Sequence, residues 1–375
     1  MRTVGVEEEL LLVRSGSGRA MSVAPQVVRR AESAARELAT VAGRGSSVGG
    51  ELQREQVETD TVPHRSMAEL GEELVAWRAH AEHAARREGA RVAALGTSPL
   101  PVEPLPGETE RYRLIIDQFG QLGTEQLVCG CHVHVSVESD EEGVAVLDRI
   151  RVWLPVLLAL SANSPYWQGR DSGYASYRSQ VMGRWPTAGP EDVFGSAEAY
   201  HRYVADAVAT GVAVDEGMVY LDARLSASYP TVEIRVADVC QDPRDAVLHA
   251  ALCRALVDTA ATRWRAGDPA PDVPTRMLRL ATWQAGRYGT SGELLDPTTS
   301  LPRPAAEVME ALVAFVRPAL EANDDLALVT EGIARLRRVG TGADRQRREL
   351  ERTGDLTDVV AAAVRATHEL EGEGP

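Results

Sequence analysis

A chain of 375 residues, 44% hydrophobic and 25% charged, is long enough for a sizeable core and has the make-up of an ordinary soluble globular protein. Its formal net charge of −15 argues against nucleic acid and anionic membrane as partners. All 40 basic residues are arginine, which excludes a Walker-type phosphate loop, a kinase-type strand lysine and a Schiff base. If the chain handles a nucleoside triphosphate, arginine and metal ions must supply the positive charge. No apolar run reaches the ~18 residues that span a bilayer. The N-terminus lacks the basic and apolar regions of a signal peptide. Cys129, Cys131, Cys240 and Cys253 are too few and too scattered for a disulfide framework, so a reducing cytoplasm is the expected compartment.

Residues 1 to 13 read as a strand, followed by a helical pattern from about Ala24 to Ala39 and a flexible link, VAGRGSSVGG. Residues 51 to 62, ELQREQVETDTV, are strand-like and end at Pro63. Ser66 and Glu69 form a capping-box pattern that opens a helix running to about Arg91. A Pro/Gly loop leads to a strand over 125 to 137, then to a helix over roughly 142 to 161 that should bend at Pro155. Next come 28 residues of turn chemistry, NSPYWQGRDSGYASYRSQVMGRWPTAGP, a length that usually marks a functional loop. Ser196 starts a helix, YPTVEIRVADV (229 to 239) is a strand, Asp245 to Arg265 is a long helix, and the C-terminal third is helical. Strands separated by helices of uneven length, without a βαβ rhythm, predict an α+β fold with an antiparallel sheet. With no repeat and no sharp shift in composition, one domain over residues 1–375 is expected.

The first strand holds three consecutive carboxylates, Glu7, Glu8 and Glu9, within an apolar segment. Alternation puts Glu7 and Glu9 on one face, about 7 Å apart, and leaves Glu8 on the apolar side. Glu58 and Asp60 share a face of a second strand, and Glu233 and Arg235 share the polar face of another. One such strand would suit a solvated face with cross-strand charge pairs. Three, with acid in excess, need cations, and hard divalent ions such as Mg²⁺ or Mn²⁺ take oxygen ligands.

CGCHVHVSV suggests zinc, but alternation separates its donors. Cys129 and Cys131 face the valine side, while His132 and His134 share the polar side with Gly130. Thiols and imidazoles on opposite faces cannot close on one tetrahedral ion, so the cysteines read as small core residues. A zinc-dependent hydrolase built on His132, His134 and Glu233 stays open as an alternative. Arg235, beside Glu233, could neutralise it or grip a phosphate through its bidentate fork. The long loop adds Arg170, Arg178 and Arg184 among Tyr177 and other aromatics, a set suited to a small carboxylate-bearing substrate.

The stretches VGVEEELLLV, QREQVET, ERY (110 to 112), CGCHVHVSV, LLALSANSPYWQGRDSGYASYRSQ, GRWPTAGP, YPTVEIRVADV and GADRQR run from residue 3 to residue 347. In this order the chain resembles the glutamate–cysteine ligase family 2 proteins, the YbdK-type carboxylate-amine ligases. The resemblance implies a glutamine-synthetase-like antiparallel sheet, curved into a funnel with helices outside and with metal ions and ATP on its concave face. It implies Glu7, Glu9, Glu58 and Glu233 as metal ligands. Glu51 or Glu55 could add a carboxylate, though only if a bulge corrects their phase relative to Glu58.

By the same resemblance, His132 lies near metal or nucleotide phosphate, and Arg235 contacts the γ-phosphate, with His132, Glu233 and Arg235 as the catalytic set. The resemblance also points to Arg178 for the substrate carboxylate, and Arg170 and Tyr177 are grouped with Arg178 as substrate residues because they share its loop. The implied reaction is ATP-dependent amide formation through an acyl phosphate, joining glutamate to an amine such as cysteine and releasing ADP and phosphate. The same chemistry on another carboxylate or amine is the alternative. A homodimer is compatible with the resemblance.

Overall fold

The structure, a computed structural model, describes residues 1–37 and 47–368. Its central sheet is built from β1 (Val4–Arg14), β2 (Ser47–Gly50), β3 (Gln56–Asp60), β4 (Ala90–Ala93) and β5 (Gly130–Ser136), with two later strands. A short hairpin, β6 (Tyr166–Trp167) and β7 (Arg170–Asp171), stands apart from it, and β8 (Ala223–Leu225) and β9 (Thr231–Asp238) complete it. The order is β2-β3-β1-β5-β9-β8, with β4 also on β1, and every pairing in it is antiparallel. This is the expected α+β plan, a curved antiparallel sheet of glutamine-synthetase-like type with helices on its outer face.

Alternation divides the sheet into two chemistries. Val4 and Val6 of β1, Cys131, Val133 and Val135 of β5, and Val232 and Ile234 of β9 are all buried in one core. Leu70 and Leu74 of helix Met67–Arg86 and Leu252 and Leu256 of helix Pro243–Arg265 belong to the same core. Each such aliphatic side chain contributes about 1.5–3 kcal/mol when fully removed from water. All four cysteines are free thiols buried in the interior. Among the described residues no helix is long and apolar enough to cross a membrane.

Glu8, the acid on the apolar face, is fully buried and meets the fully buried Arg78 of helix Met67–Arg86. Arg78 Nη2 donates to Glu8 Oε1 at 2.6 Å and Nε donates to Oε2 at 2.8 Å. The same guanidinium donates to the backbone oxygens of Cys240 and Gln241 at 2.7 and 3.2 Å. The pair therefore ties β1 to the segment that links β9 to helix Pro243–Arg265.

Several expected elements have different bounds. The helix opened by Ser66 ends at Arg86 rather than near Arg91, because Gly89 takes a left-handed turn (φ +72°) and the chain re-enters the sheet as β4. The helix expected to bend at Pro155 is two helices, Asp140–Ile150 and Leu154–Ser161. Pro155 sits in the first turn of the second, where its missing N–H leaves no bond unmade. The strand expected over 51 to 62 is confined to Gln56–Asp60, and residues 51–55 form a turn. The end of the first helical pattern and part of the VAGRGSSVGG link lie outside the described residues, while the link's last four residues are β2.

The long loop is ordered by polar anchors. Asp238, at the end of β9, accepts from Asn163 N at 2.8 Å, Ser164 Oγ at 2.7 Å and Ser176 Oγ at 2.8 Å. Ser176 caps the short helix Tyr177–Met182. The GADRQR stretch opens helix Gly342–Thr353, whose Gln346 donates to Asn163 Oδ1 at 2.7 Å and whose Arg347 pairs with Asp171 at 2.9 Å.

Removing one partner of a buried pair leaves an uncompensated charge. Arg78→Ala should cost about 3–5 kcal/mol of unfolding free energy in a urea titration, and the double variant Glu8→Leu/Arg78→Met should recover most of it.

Candidate active site

The polar faces of β1, β3, β5 and β9 converge because register puts their charged residues side by side. Glu9 lies opposite Glu58, Glu7 opposite His132, His134 opposite Glu233, and Glu233 opposite Arg224 of β8. They form the floor of a bowl enclosing about 280 Å³, lined by Glu7, Glu9, Glu51, Glu58, His132, Arg178 and Arg235 among others. A second cavity of about 550 Å³ adjoins it, and Arg178, Trp185, Tyr220 and Arg235 line both.

Donor atoms of three triplets each lie within 4.8 Å of one another: Glu7, His134 and Glu233; Glu7, Glu58 and His132; Glu9, Glu51 and Glu58. His134 Nε2 is 3.0 Å from Glu7 Oε1, and His132 Nδ1 is 3.3 Å from Glu7 Oε2. Glu233 pairs with Arg235 and, at 2.7 Å, with Arg224 Nε. Gly130 N donates to Glu9 Oε2 at 2.5 Å.

The charges are balanced at one end of the bowl and unbalanced at the other. Burial opposes ionisation of Glu233, but Arg235 and Arg224 outweigh it and hold the carboxyl well below the usual range. Burial likewise opposes ionisation of Glu7, and its bonds to His132 and His134 more than reverse that. Glu58 has no such help. Burial and then the charges of Glu51, Glu7 and Glu9 push its carboxyl well above the ordinary range. His132 is pushed down by burial and by Arg235, which favours a neutral imidazole able to act as a ligand. His134 is raised, its contact with Glu7 outweighing burial.

Glu7, Glu9, Glu58, His132 and Arg235 thus line one bowl, and the buried Glu233 meets them through Glu7 and His134. Glu51 joins them because residues 51–55 turn rather than continue β3, which resolves its phase. Glu55 points elsewhere, accepting from Ser22 Oγ at 2.5 Å and Leu105 N at 3.1 Å. Arg178 is buried at the junction of the two cavities, donating to the backbone oxygens of Val236 and Arg235 at 3.2 and 3.3 Å. Arg170 and Tyr177 are not brought there. Arg170 is exposed in the β6–β7 hairpin, and Tyr177 packs against Trp167 and Tyr174. Among the described residues no metal-competent triplet joins both histidines to Glu233, and the cysteines lie on the opposite face, so the zinc arrangement lacks its donor set.

Sequence reading missed Arg224, whose signal was its place in a short strand two residues from Asp222, in the segment just before β9. It also missed Arg111, which lines the bowl while paired to Asp215 at 2.5 Å. Gly130 was placed on the polar face without a role. A Cβ there would lie 2.2 Å from Arg178 Nη2, so glycine lets that guanidinium cross the strand. The carboxylate-rich donor set, with neutral imidazole, has the chemistry preferred by hard divalent ions such as Mg²⁺ and Mn²⁺.

Among solved structures, the glutamate–cysteine ligase of Francisella tularensis, determined in complex with AMP, is 14% identical, with a TM-score of 0.68 over 99% of this chain and 89% of that one. A bifunctional glutathione synthetase from Pasteurella multocida is 15% identical, with a TM-score of 0.66 over 98% of this chain and 52% of that one. At such identities the likeness is one of fold. The fold and its acid-lined bowl fit an ATP-dependent ligase of the carboxylate-amine class, which the family match establishes. The pattern of the Glutamate-cysteine ligase family 2 (GCS2) matches residues 3–362, and the chain belongs to that family. A Streptomyces avermitilis protein named "Putative glutamate--cysteine ligase 2-1" is 55% identical over 98% of this chain and 99% of its own. One from Streptomyces coelicolor, "Putative glutamate--cysteine ligase 2", is 53% identical over 98% and 99% respectively.

Glu58 is the acid that its neighbours most oppose. Glu58→Gln should raise the melting temperature of the protein by a few degrees, as read by scanning calorimetry in the presence of EDTA.

Proposed function

We propose that this ligase joins the γ-carboxylate of glutamate to the amine of cysteine or a similar compound, through an acyl phosphate, with release of ADP and phosphate. The observation that carries this reading is the set of three donor triplets along one sheet face, ending at Arg235. The family membership and the AMP complex of the Francisella ligase support ATP as the phosphoryl donor.

The difficulty of the reaction is that a carboxylate must approach a triphosphate, anion against anion. Mg²⁺ or Mn²⁺ held by Glu7, Glu9, Glu51, Glu58, Glu233, His132 and His134 would neutralise the phosphates and draw charge toward the bridging oxygen. Arg235 is the fixed cation of the floor. Its pairing with Glu233 and its approach to His132 at 3.5 Å hold its fork in place, where it can receive the γ-phosphoryl oxygens. Arg224 holds Glu233 from the other side, so the carboxylate stays ionised and oriented as a ligand. His132, kept neutral, offers a nitrogen lone pair. Arg178, which is buried and lines both cavities, is assigned the substrate carboxylate on this reading.

In the first step a carboxylate oxygen of the substrate bonds to the γ-phosphorus as the bond to the ADP oxygen breaks. In the second, the amine nitrogen bonds to the acyl carbon, phosphate departs with that carboxylate oxygen, and the nitrogen loses a proton. Glutamate labelled with ¹⁸O in its γ-carboxylate should therefore pass label into inorganic phosphate, seen by mass spectrometry. Label that stays wholly in the amide product would exclude an acyl phosphate.

Glu233→Gln should lower turnover about 100-fold or more while leaving the circular dichroism spectrum unchanged. Near-normal ADP release by this variant would remove Glu233 from the site. EDTA should abolish turnover, and Mg²⁺ should restore it.

A further inference from the structure

The larger cavity contains two opposite charges that the chain leaves unused. Asp222 and Arg279 both line it. Among the described residues neither side chain makes a hydrogen bond or an ion pair, yet Arg279 lies near enough to lower the carboxyl's affinity for a proton. Burial, the larger influence, and Glu191 push the Asp222 carboxyl up to about 7 despite Arg178 and Arg279, as expected of a recessed acid without a bound cation. A carboxylate and a guanidinium that face one cavity without closing on each other leave a gap with a positive and a negative end.

The position of Asp222 gives that gap a relation to the floor. Arg235 N donates to Asp222 O at 2.9 Å, extending by one residue the register in which Arg224 lies opposite Glu233. Asp222 is therefore the cross-strand neighbour of Arg235, on the same sheet face, where directly opposed side chains are about 5 Å apart at Cβ. Arg235 is committed to Glu233 and does not pair with Asp222. Trp185, Leu221 and Trp283 supply apolar wall around the gap.

We infer that Asp222 and Arg279 form the subsite for the amine substrate, Asp222 receiving its ammonium group and Arg279 a carboxylate on the same molecule, so that the site selects an α-amino acid over a simple amine. This inference rests on the ligase reading and assigns residues that the reading leaves open. The ammonium is held beside the arginine that faces the transferred phosphoryl group, so its nitrogen is already near the acyl carbon when the proton leaves.

The test uses two probes that differ by one carboxylate, L-cysteine and cysteamine. Initial rates of ADP release are measured with saturating glutamate, ATP and Mg²⁺, and binding of each probe is measured by calorimetry without turnover. Asp222→Asn should raise KM and Kd for both probes by about tenfold to a hundredfold, with KM for ATP unchanged. Arg279→Met, at an exposed position, should weaken L-cysteine by about tenfold and leave cysteamine unaffected. If Asp222→Asn raises KM for ATP instead, the cavity belongs to the nucleotide and the inference falls. It falls too if neither variant changes either probe, or if the unsubstituted protein binds neither. Binding that is lost in Asp222→Asn, in a protein that releases no ADP with any amine, would uphold the subsite and overturn the ligase reading.

Discussion

Like-charge repulsion among crowded, half-buried carboxylates is the constraint around which this molecule is arranged. Glu7, Glu9, Glu51 and Glu58 are held within reach of one another on one face of the sheet, and no arginine pairs with this group among the described residues. An arrangement of this kind opposes folding unless the scaffold is rigid. The scaffold supplies that rigidity from the opposite face. There the same strands bury aliphatic side chains, and β1 is pinned by the Glu8–Arg78 pair set among them, beneath the acids it presents. Three consecutive glutamates thus do two different jobs, with two facing the bowl and one locking the strand that carries them.

The wall of the bowl is braced by a separate polar network. Asp238 collects Asn163, Ser164 and Ser176, which fixes the start of helix Tyr177–Met182 and with it Arg178. Asn163 is in turn held by Gln346, and Gly342 must be glycine because a Cβ there would lie 2.1 Å from Asn163 Oδ1. The C-terminal GADRQR helix therefore reaches the site at second hand. It touches no acid of the bowl, but it sets the loop on which Arg178 stands. Gly130 completes the brace from below, since only an absent side chain lets the Arg178 guanidinium lie across β5.

What could be read from the sequence was whatever period two controls. Alternation alone separated Glu8 from Glu7 and Glu9, and the cysteines from the histidines, because a strand has only two faces. Register was not legible. That Glu9 faces Glu58 and that Arg224 faces Glu233 depends on how strands distant in sequence slide against each other, which side-chain pattern does not encode locally. Long-range partners were hidden for the same reason. Arg78 looked like one more charge on an amphipathic helix, and its role appears only when the helix packs on β1. Arg170 and Tyr177 were grouped with Arg178 by nearness in sequence, but the β6–β7 hairpin and the helix after it point the three in different directions. Glu51 needed a change of direction in the chain, and a turn at 51–55 supplied it where a continuous strand was expected.

The two ends of the bowl differ in a way that bears on how anions enter it. At the β8–β9 end, Glu233 faces two guanidiniums, Arg235 and Arg224, so fixed cations outnumber the acid they hold. At the β1–β3 end, Glu9, Glu51 and Glu58 crowd together with no guanidinium paired to them among the described residues, and burial together with that crowding pushes the Glu58 carboxyl up. A polyanion entering the bowl meets acids at the second end, away from the fixed cations of the first. On the proposed ligase reading, cations seated among Glu9, Glu51 and Glu58 would relieve that repulsion before, or together with, the arrival of a triphosphate. The acid excess would then have a use that a neutral pocket lacks: the site would attract polyanions only when divalent ions accompany them.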